Sequence, residues 1–241
     1  MKKSRVLPGG CLKLLNDMPD KAYQEDRCMD EHQRWHRRSL LEQAAVALER
    51  NGFATTVCES REEAVAYLKG EADEAQTLGF GGSMTLADMD LVGLFEGAGK
   101  KTLVHGRSGY SPEQRRGVMQ DQLNCDLFFT STNALTLQGH LVNIDATGNR
   151  VGAMAFGPQR VVVVAGVNKV CHSLESALRR VKEVACPPNA RRLGFDTPCA
   201  KTGLCSDCNS PERICRITTI IERKPRATDL RICLVNEQLG Y

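Results

Sequence analysis

The stretch AQTLGFGGSMTLADMD, residues 75–90, decides the fold, because an apolar strand runs into glycines and a helix follows at once. The same order recurs on both sides of it. FATTVCE (53–59) precedes the helical SREEAVAYLKGEA (60–72), and KTLVHG (101–106) precedes PEQRRGVMQDQLN (112–124). Strands that alternate with helices form a mostly parallel sheet. We therefore predict an α/β fold with a Rossmann-like, mostly parallel sheet and flanking helices.

The second half of the chain is richer in strand patterns. DLFFTSTNALT (126–136) and QRVVVVAGVNK (159–169) contain apolar runs typical of buried strands. Between them, GHLVNIDATGNRV (139–151) predicts a hairpin that turns at the Thr-Gly-Asn segment. NKVCHSLESALRRVKEVAC (168–186) predicts a helix, and RICRITTIIER and DLRICLVNE predict two closing strands.

Three segments follow from these patterns. We predict an N-terminal helical segment over residues 1–50 and the α/β domain over residues 51–185. Residues 186–241 carry a group of cysteines and the closing strands of the same domain. No repeat or low-complexity linker divides the chain further.

Composition excludes several classes of protein. The 241 residues carry 32 Lys+Arg and 29 Asp+Glu, so the formal net charge is +3, too small to indicate a nucleic-acid or membrane surface. The apolar run near the N-terminus is broken by Pro8 and the Gly9-Gly10 pair, and no later run is long enough to span a membrane. We expect a cytoplasmic protein with neither nucleic acid nor membrane as a partner.

The glycine-rich junction is the first candidate site. Glycines between a strand and a helix let the backbone approach a ligand, and free N–H groups at the helix start attract anions. The alternative is a tight turn capped by Ser83. No lysine follows the loop, so the sequence does not match a P-loop. The candidate anion-binding residues of this loop are Gly81, Gly82, Ser83 and Thr85.

Polar residues follow three later strand-like runs. Because the carboxyl ends of parallel strands meet at one edge of the sheet, these residues are predicted to share a crevice with the glycine loop. A β-turn around Asp145 and a solvated Lys169 are the alternatives. The residues proposed for the crevice are Asn133, Asp145, Asn149 and Lys169.

The cysteines give a second candidate site. Four of the eleven fall in PCAKTGLCSDCNSPERIC (198–215), where two form a C-x-x-C knuckle. Such a knuckle lets two thiolates reach one metal or cluster. Because zinc sites usually pair two knuckles, a single one favours a [4Fe–4S] cluster over zinc, while unliganded thiols remain an alternative. The predicted metal ligands are Cys199, Cys205, Cys208 and Cys215, and the other seven cysteines are not expected to take part.

Several long motifs together resemble the LUD-domain family of lactate-utilisation proteins. They are GFGGSMTL, TSTNALTLQGHLVNIDATGNRVGAMAFGPQRVVVVAGVNK, and PCAKTGLCSDCNSPERIC through to LVNEQLGY. The resemblance runs from about residue 20 to the last residue. It implies the fold of the ribose-5-phosphate isomerase and CoA-transferase superfamily, in which a Gly-Ser-Thr loop binds phosphate or a sugar acid. The chain lacks the two-cluster ferredoxin run of the iron–sulfur partner in lactate-oxidising complexes.

Two classes of function remain. The first is a redox or electron-transfer component of organic-acid (lactate-type) metabolism that binds a small anionic metabolite and one iron–sulfur cluster. If it is an enzyme, it is an oxidoreductase subunit. The second is a cluster-free isomerase-like enzyme or sensor in which the same cysteines hold structural zinc. The expected partners are the metabolite and redox partner proteins, and a homodimer is compatible with the sequence.

Overall fold

The computed structural model describes residues 30–241, which form ten strands and nine α-helices. The strands are β1 Ala54–Cys58, β2 Thr77–Phe80, β3 Lys101–Val104, β4 Leu127–Ser131, β5 Ala134–Thr136, β6 Leu141–Asp145, β7 Arg160–Gly166, β8 Val170–Cys171, β9 Ile217–Ile221 and β10 Asp229–Val235. The helices are α1 Glu31–Arg50, α2 Arg61–Glu71, α3 Met84–Asp88, α4 Leu91–Gly97, α5 Pro112–Gln122, α6 Asn149–Phe156, α7 Leu174–Arg180, α8 Cys186–Arg192 and α9 Pro198–Thr202. A 3-10 turn spans Val167–Lys169, and a π-helical turn, Val181–Ala185, joins α7 to α8.

Six strands form one parallel sheet in the order β1-β10-β7-β4-β2-β3. This confirms the predicted α/β fold class. The apolar run of β7 is continuous because helices cover both faces of the sheet. Its alternate residues enter two separate cores: Val161 and Val163 pack with Leu41 of α1, whereas Val162 and Val164 pack with Leu68 of α2.

Four further strands form a smaller mixed sheet in the order β8-β5-β6-β9. β6 pairs antiparallel with both β5 and β9, and β8 pairs parallel with β5. The apolar residues Ala134 of β5 and Val142 of β6 pack with Ala177 of α7 and with Val181. The smaller sheet therefore carries the helical stretch from α7 to α8 on one face.

The hairpin predicted over residues 139–151 is wrong. Residues 141–145 form β6, and helix α6 starts at Asn149 after Gly148, whose φ of +87° favours glycine. The Asp145 carboxylate accepts hydrogen bonds from the Val151 N–H at 3.0 Å and from the Arg150 Nε at 2.8 Å. Asp145 thus accepts a backbone N–H that would otherwise be unpaired in the first turn of α6. This contact explains why a turn-like sequence starts a helix here and does not form a hairpin.

The glycine loop leads into two short helices where the sequence predicts one. α3 ends at Asp88, and α4 begins after Asp90, whose φ of +45° is in the left-handed region and breaks the helical path. The start of α3 therefore lies at the carboxyl edge of the sheet, directly after β2. No helix of the described residues is long and apolar enough to cross a membrane.

The last strand in sequence, β10, lies inside the large sheet between β1 and β7. Residues 236–241 then cross the carboxyl edge of the sheet. The Val167 N–H donates to the carbonyl of Glu237, and the Gly240 N–H donates to the Asp88 carboxylate. This closing segment covers the start of α3 and the 3-10 turn, and so forms one wall of the site described next.

Candidate functional site

A small polar cavity, called here the Lys169 cavity, opens where the carboxyl ends of β2, β4 and β7 meet. Ligand crevices of parallel α/β sheets lie at this edge. The glycine loop, the residues after β4, the 3-10 turn after β7 and the closing segment all contribute to it. Its lining residues are Gly82, Ser83, Met84, Thr85, Ser131, Thr132, Asn133, Arg150, Lys169, Ala185, Asn189 and Tyr241.

Lys169 is the most deeply buried charged residue of this cavity, with 4% of its surface exposed. Its Nζ donates to the Thr85 hydroxyl at 2.7 Å, the Ser131 hydroxyl at 2.9 Å and the carbonyl of Thr132 at 3.2 Å. The Thr85 hydroxyl in turn donates to the carbonyl of Leu239. One ammonium group therefore ties β7, β4, α3 and the closing segment together.

Two arginines, Arg150 and Arg180, lie near Lys169. Within residues 30–241 neither Lys169 nor Arg180 forms an ion pair. Arg180 instead donates to the carbonyls of Asn168 and Asn133. Burial, followed by repulsion from Arg180 and then Arg150, lowers the pKa of Lys169 to about 7, and only the carboxylate of Asp88 opposes that shift. A buried cation without a counter-ion favours an anionic ligand.

Arg150 is held rigidly beside the cavity. Its guanidinium pairs with Asp145, donates to the carbonyl of Ser131 at 3.2 Å, and donates to the Asn133 Oδ1 at 2.8 Å. The same Asn133 oxygen accepts the Ile144 N–H at 2.9 Å. The Asn133 side-chain nitrogen has no hydrogen-bond partner among the described residues. It therefore adds a hydrogen-bond donor to the cavity.

The structure brings together five of the eight ligand-binding residues proposed from sequence: Gly82, Ser83, Thr85, Asn133 and Lys169. The Gly81 N–H is already bonded to the carbonyl of Phe129 as part of the sheet. Asp145 contacts the cavity through Arg150. Asn149 lines a separate groove formed mainly by α5, with Tyr110 and Met119.

Of the other lining residues, Arg150, Ala185 and Asn189 were not identified from sequence, whereas the hydroxyls of Ser131 and Thr132 were expected at this edge. Ser131 and Thr132 carry a signal, since they end a buried strand next to the proposed Asn133. Arg150 adjoins the proposed Asn149, but a charged residue after a turn is usually solvated. Ala185 and Asn189 belong to the π-helical turn and α8, and no local pattern connects them to a cavity at the sheet edge.

A second cavity, called the cysteine cavity, lies beneath the loop that follows α8. All four cysteines of the 198–215 segment line it, and a fifth, Cys186, lines it as well. The four are partly exposed, whereas Cys186 is buried. Its lining residues are Cys186, Ala190, Thr197, Cys199, Cys205, Ser206, Cys208, Arg213, Ile214 and Cys215.

Hydrogen-bond donors approach the sulfurs of this cavity. The Arg213 guanidinium lies 3.6 Å from the Cys215 Sγ and donates to the carbonyl of Cys208 at 2.6 Å. The Thr197 hydroxyl lies 3.4 Å from the Cys199 Sγ. Within residues 30–241, no three His, Cys, Asp or Glu side chains are arranged at the spacing of ligands to one metal ion.

The remaining cysteines lie elsewhere or outside the described residues. Cys58 and Cys233 face each other in the large sheet, with their sulfurs 3.9 Å apart, and both are buried. Cys125 and Cys171 are buried at β4 and β8. Cys11 and Cys28 fall outside the described residues.

The structure is therefore that of an α/β protein with two features: a cation-lined cavity at the carboxyl edge of its parallel sheet, and a cysteine-rich segment after α8. A family profile for the LUD domain matches residues 41–235. The chain belongs to the LUD-domain family, which is related to lactate-utilisation proteins.

One solved structure is similar in outline. It is a crystal structure of a DUF162-family protein from Deinococcus radiodurans, with 12% sequence identity and a TM-score of 0.43. The similarity covers 83% of this chain and 98% of that chain. No curated protein is similar enough in sequence to match.

Proposed function

We propose that this chain is a redox component of organic-acid metabolism that binds a small anionic metabolite in the Lys169 cavity and an iron–sulfur cluster in the cysteine cavity. The observation that carries the proposal is the shared wall of the two cavities. Ala185 and Asn189 line the Lys169 cavity, while their chain neighbours Cys186 and Ala190 line the cysteine cavity. One stretch of helix thus separates the two sites.

An anionic ligand is supported by the polarity of the Lys169 cavity. Lys169 and Arg150 supply positive charge, and Asn133 and Ser83 supply uncharged polar groups. None of the lining residues is an aspartate or a glutamate. A cavity of this composition suits a carboxylate or phosphate and repels a cation.

A thiolate-held group is supported by the donor set of the cysteine cavity. Four thiols of the 198–215 segment line one cavity, and thiolates are the preferred ligands of iron–sulfur clusters and of zinc. Cys199, Cys205, Cys208 and Cys215 would hold the group. Arg213, next to Cys215, would offset part of the negative charge that four thiolates bring. A bound cluster would supply one-electron transfer.

The test of the cysteine cavity is anaerobic purification followed by iron, sulfide and zinc analysis. We expect iron and sulfide in equal amounts, together with broad visible absorption, and a loss of both in each single Cys→Ser variant of the four ligands. Cys125→Ser is the matched control, because the Cys125 thiol donates to backbone carbonyls in the core and a hydroxyl can replace it there. Zinc in place of iron would overturn the redox proposal and support the isomerase-like alternative.

The test of the Lys169 cavity is titration calorimetry with small carboxylates and with inorganic phosphate. Binding should be lost in Lys169→Gln, and Lys69→Gln is the control, since Lys69 is an exposed lysine in the last turn of α2. Equal binding by both variants would contradict the assignment of this cavity.

A further inference from the structure

The lining of the Lys169 cavity contains one amine and no acidic side chain or histidine. Seryl and threonyl hydroxyls become nucleophiles when a neighbouring base removes their proton. Among residues 30–241, Lys169 is the neighbour of the Thr85 and Ser131 hydroxyls that can serve as that base. The amine of Lys169 is therefore the group through which covalent chemistry in this cavity would run.

The surroundings of Lys169 favour its neutral, nucleophilic form. The side chain is buried, two guanidinium groups are near it, and no described carboxylate pairs with it. Burial beside other cations is the arrangement that activates lysine amines towards carbonyl carbons. Burial and the two arginines lower the pKa of Lys169 to about 7, so a substantial fraction of the amine is unprotonated near neutral pH.

We propose that Lys169 forms an imine with a small 2-oxo acid, whose carboxylate is held by Asn133 and Arg150. This inference rests on the proposed binding of an anionic metabolite in the same cavity. The donors for the carboxylate come from the residues after β4 and from α6, whereas the amine comes from the turn after β7. A carboxylate bound on one side would place the adjacent carbonyl carbon towards the amine.

The step balances without a further reactant. The lone pair of the Lys169 Nζ attacks the carbonyl carbon, and the electron pair of the C=O bond moves to the oxygen. The C–O bond then breaks as the nitrogen lone pair completes the C=N bond. Both protons of the neutral amine leave with that oxygen as water, relayed by the hydroxyls of Thr85 and Ser131. These hydroxyls lie 2.7 Å and 2.9 Å from the Nζ, within reach for proton transfer. When the amine attacks, its hydrogen bond to the carbonyl of Thr132, the longest of the three, is broken.

The test uses pyruvate as the probe and sodium cyanoborohydride to reduce any imine to a stable amine. The full-length protein should gain the mass of the oxo acid less one oxygen atom, once per chain. Peptide mapping should place this adduct on Lys169, which identifies the residue without a variant. Lys169→Gln should lose the adduct, and the exposed-lysine variant Lys69→Gln should keep it.

Two further measurements separate this inference from the proposed function. L-Lactate has the carboxylate but no carbonyl, so at about ten times its dissociation constant it should reduce labelling of Lys169 roughly tenfold and spare surface lysines. Calorimetry with L-lactate reports anion binding independently of the imine. Anion binding without an adduct on Lys169 would overturn the imine alone, whereas no anion binding would overturn both proposals.

Discussion

The Nζ of Lys169 lies 2.7 Å from the hydroxyl oxygen of Thr85, although 84 residues separate them in the chain. Thr85 follows β2 in the first turns of α3, and Lys169 follows β7. The two strands are both neighbours of β4 in the parallel sheet, so their carboxyl ends open at one edge. The contact joins two separately encoded loops into a single cavity.

Anion binding should depend on pH through Lys169. Its pKa is lowered to about 7 by burial and by Arg180 and Arg150, against the attraction of Asp88. An anion prefers the protonated amine, so affinity for L-lactate, whose own charge is constant in this range, should fall as pH rises above about 7, by up to about tenfold per pH unit. Isothermal titration between pH 6 and 9 measures this. A flat profile would contradict a role for the Lys169 charge in binding.

Protein stability should show the opposite trend with pH. Above about pH 7 the folded state releases the proton of Lys169, while the unfolded chain keeps it until about pH 10.4, so the unfolded state binds more protons and the free energy of unfolding rises with pH. Relative to Lys169→Met, the wild type should gain on the order of 2 kcal/mol between pH 7 and 9. Urea unfolding at several pH values measures this difference.

The matched control for that stability measurement is Lys69→Met, which removes an exposed lysine. Its stability relative to the wild type should not change over the same pH range. A parallel change in both variants would assign the effect to the net charge of the protein instead of Lys169.

The ion pair of Asp145 with Arg150 should be a major stabilising contact. Asp145→Ala leaves a largely buried guanidinium without its carboxylate and removes the acceptor of the Val151 N–H. We expect a loss of about 3–5 kcal/mol in the free energy of unfolding. Glu175→Ala, which breaks an exposed i,i+4 pair with Arg179, should cost only about 0.3–0.5 kcal/mol. Similar losses in the two variants would show that burial does not strengthen the first pair.

Gly240 should be required for the closing segment to cover the cavity. A Cβ at this position would lie 2.7 Å from the Thr85 backbone nitrogen and hydroxyl oxygen, and the φ of Gly240 is +60°. Gly240→Ala should therefore displace the segment and weaken anion binding, in addition to the ~1–2 kcal/mol of left-handed strain.

Gly99→Ala provides the control for Gly240. Gly99 has a φ of +77° and open space around it, so this variant carries the strain without the clash. Anion affinity should stay at the wild-type value in Gly99→Ala. If both variants weaken binding equally, the contact between Gly240 and Thr85 does not shape the cavity.

Cys186 should not be a metal ligand, although it lines the cysteine cavity. It packs in the apolar cluster with Ala177 and Val181, and the cluster proposed above takes its four ligands from the four partly exposed cysteines. Cys186→Ala should keep the wild-type iron and sulfide content in anaerobic preparations. A loss of iron as large as that in Cys205→Ser would show that Cys186 is a ligand. One of the four proposed cysteine ligands would then be dispensable.

Local patterns in the sequence were sufficient to predict the parallel sheet. The apolar run of β7 indicates a buried strand because burial on both faces selects such residues, and the glycines after β2 mark where that strand ends. The capping serine of α2, Ser60, marks its helix start, and its hydroxyl accepts the Glu63 N–H. These signals act within a few residues and can be read from the chain alone.

The sequence by itself also determined that Lys169 and Asn133 follow strands at the carboxyl edge of the sheet and that four cysteines form a group. Only the tertiary structure decided that Asp145 holds Arg150, that Gly240 covers Thr85, and that one helix stretch lines both cavities. Each of these contacts joins side chains whose partners depend on how distant elements pack. Local propensity fixes which elements form, whereas burial of the whole chain fixes which side chains meet.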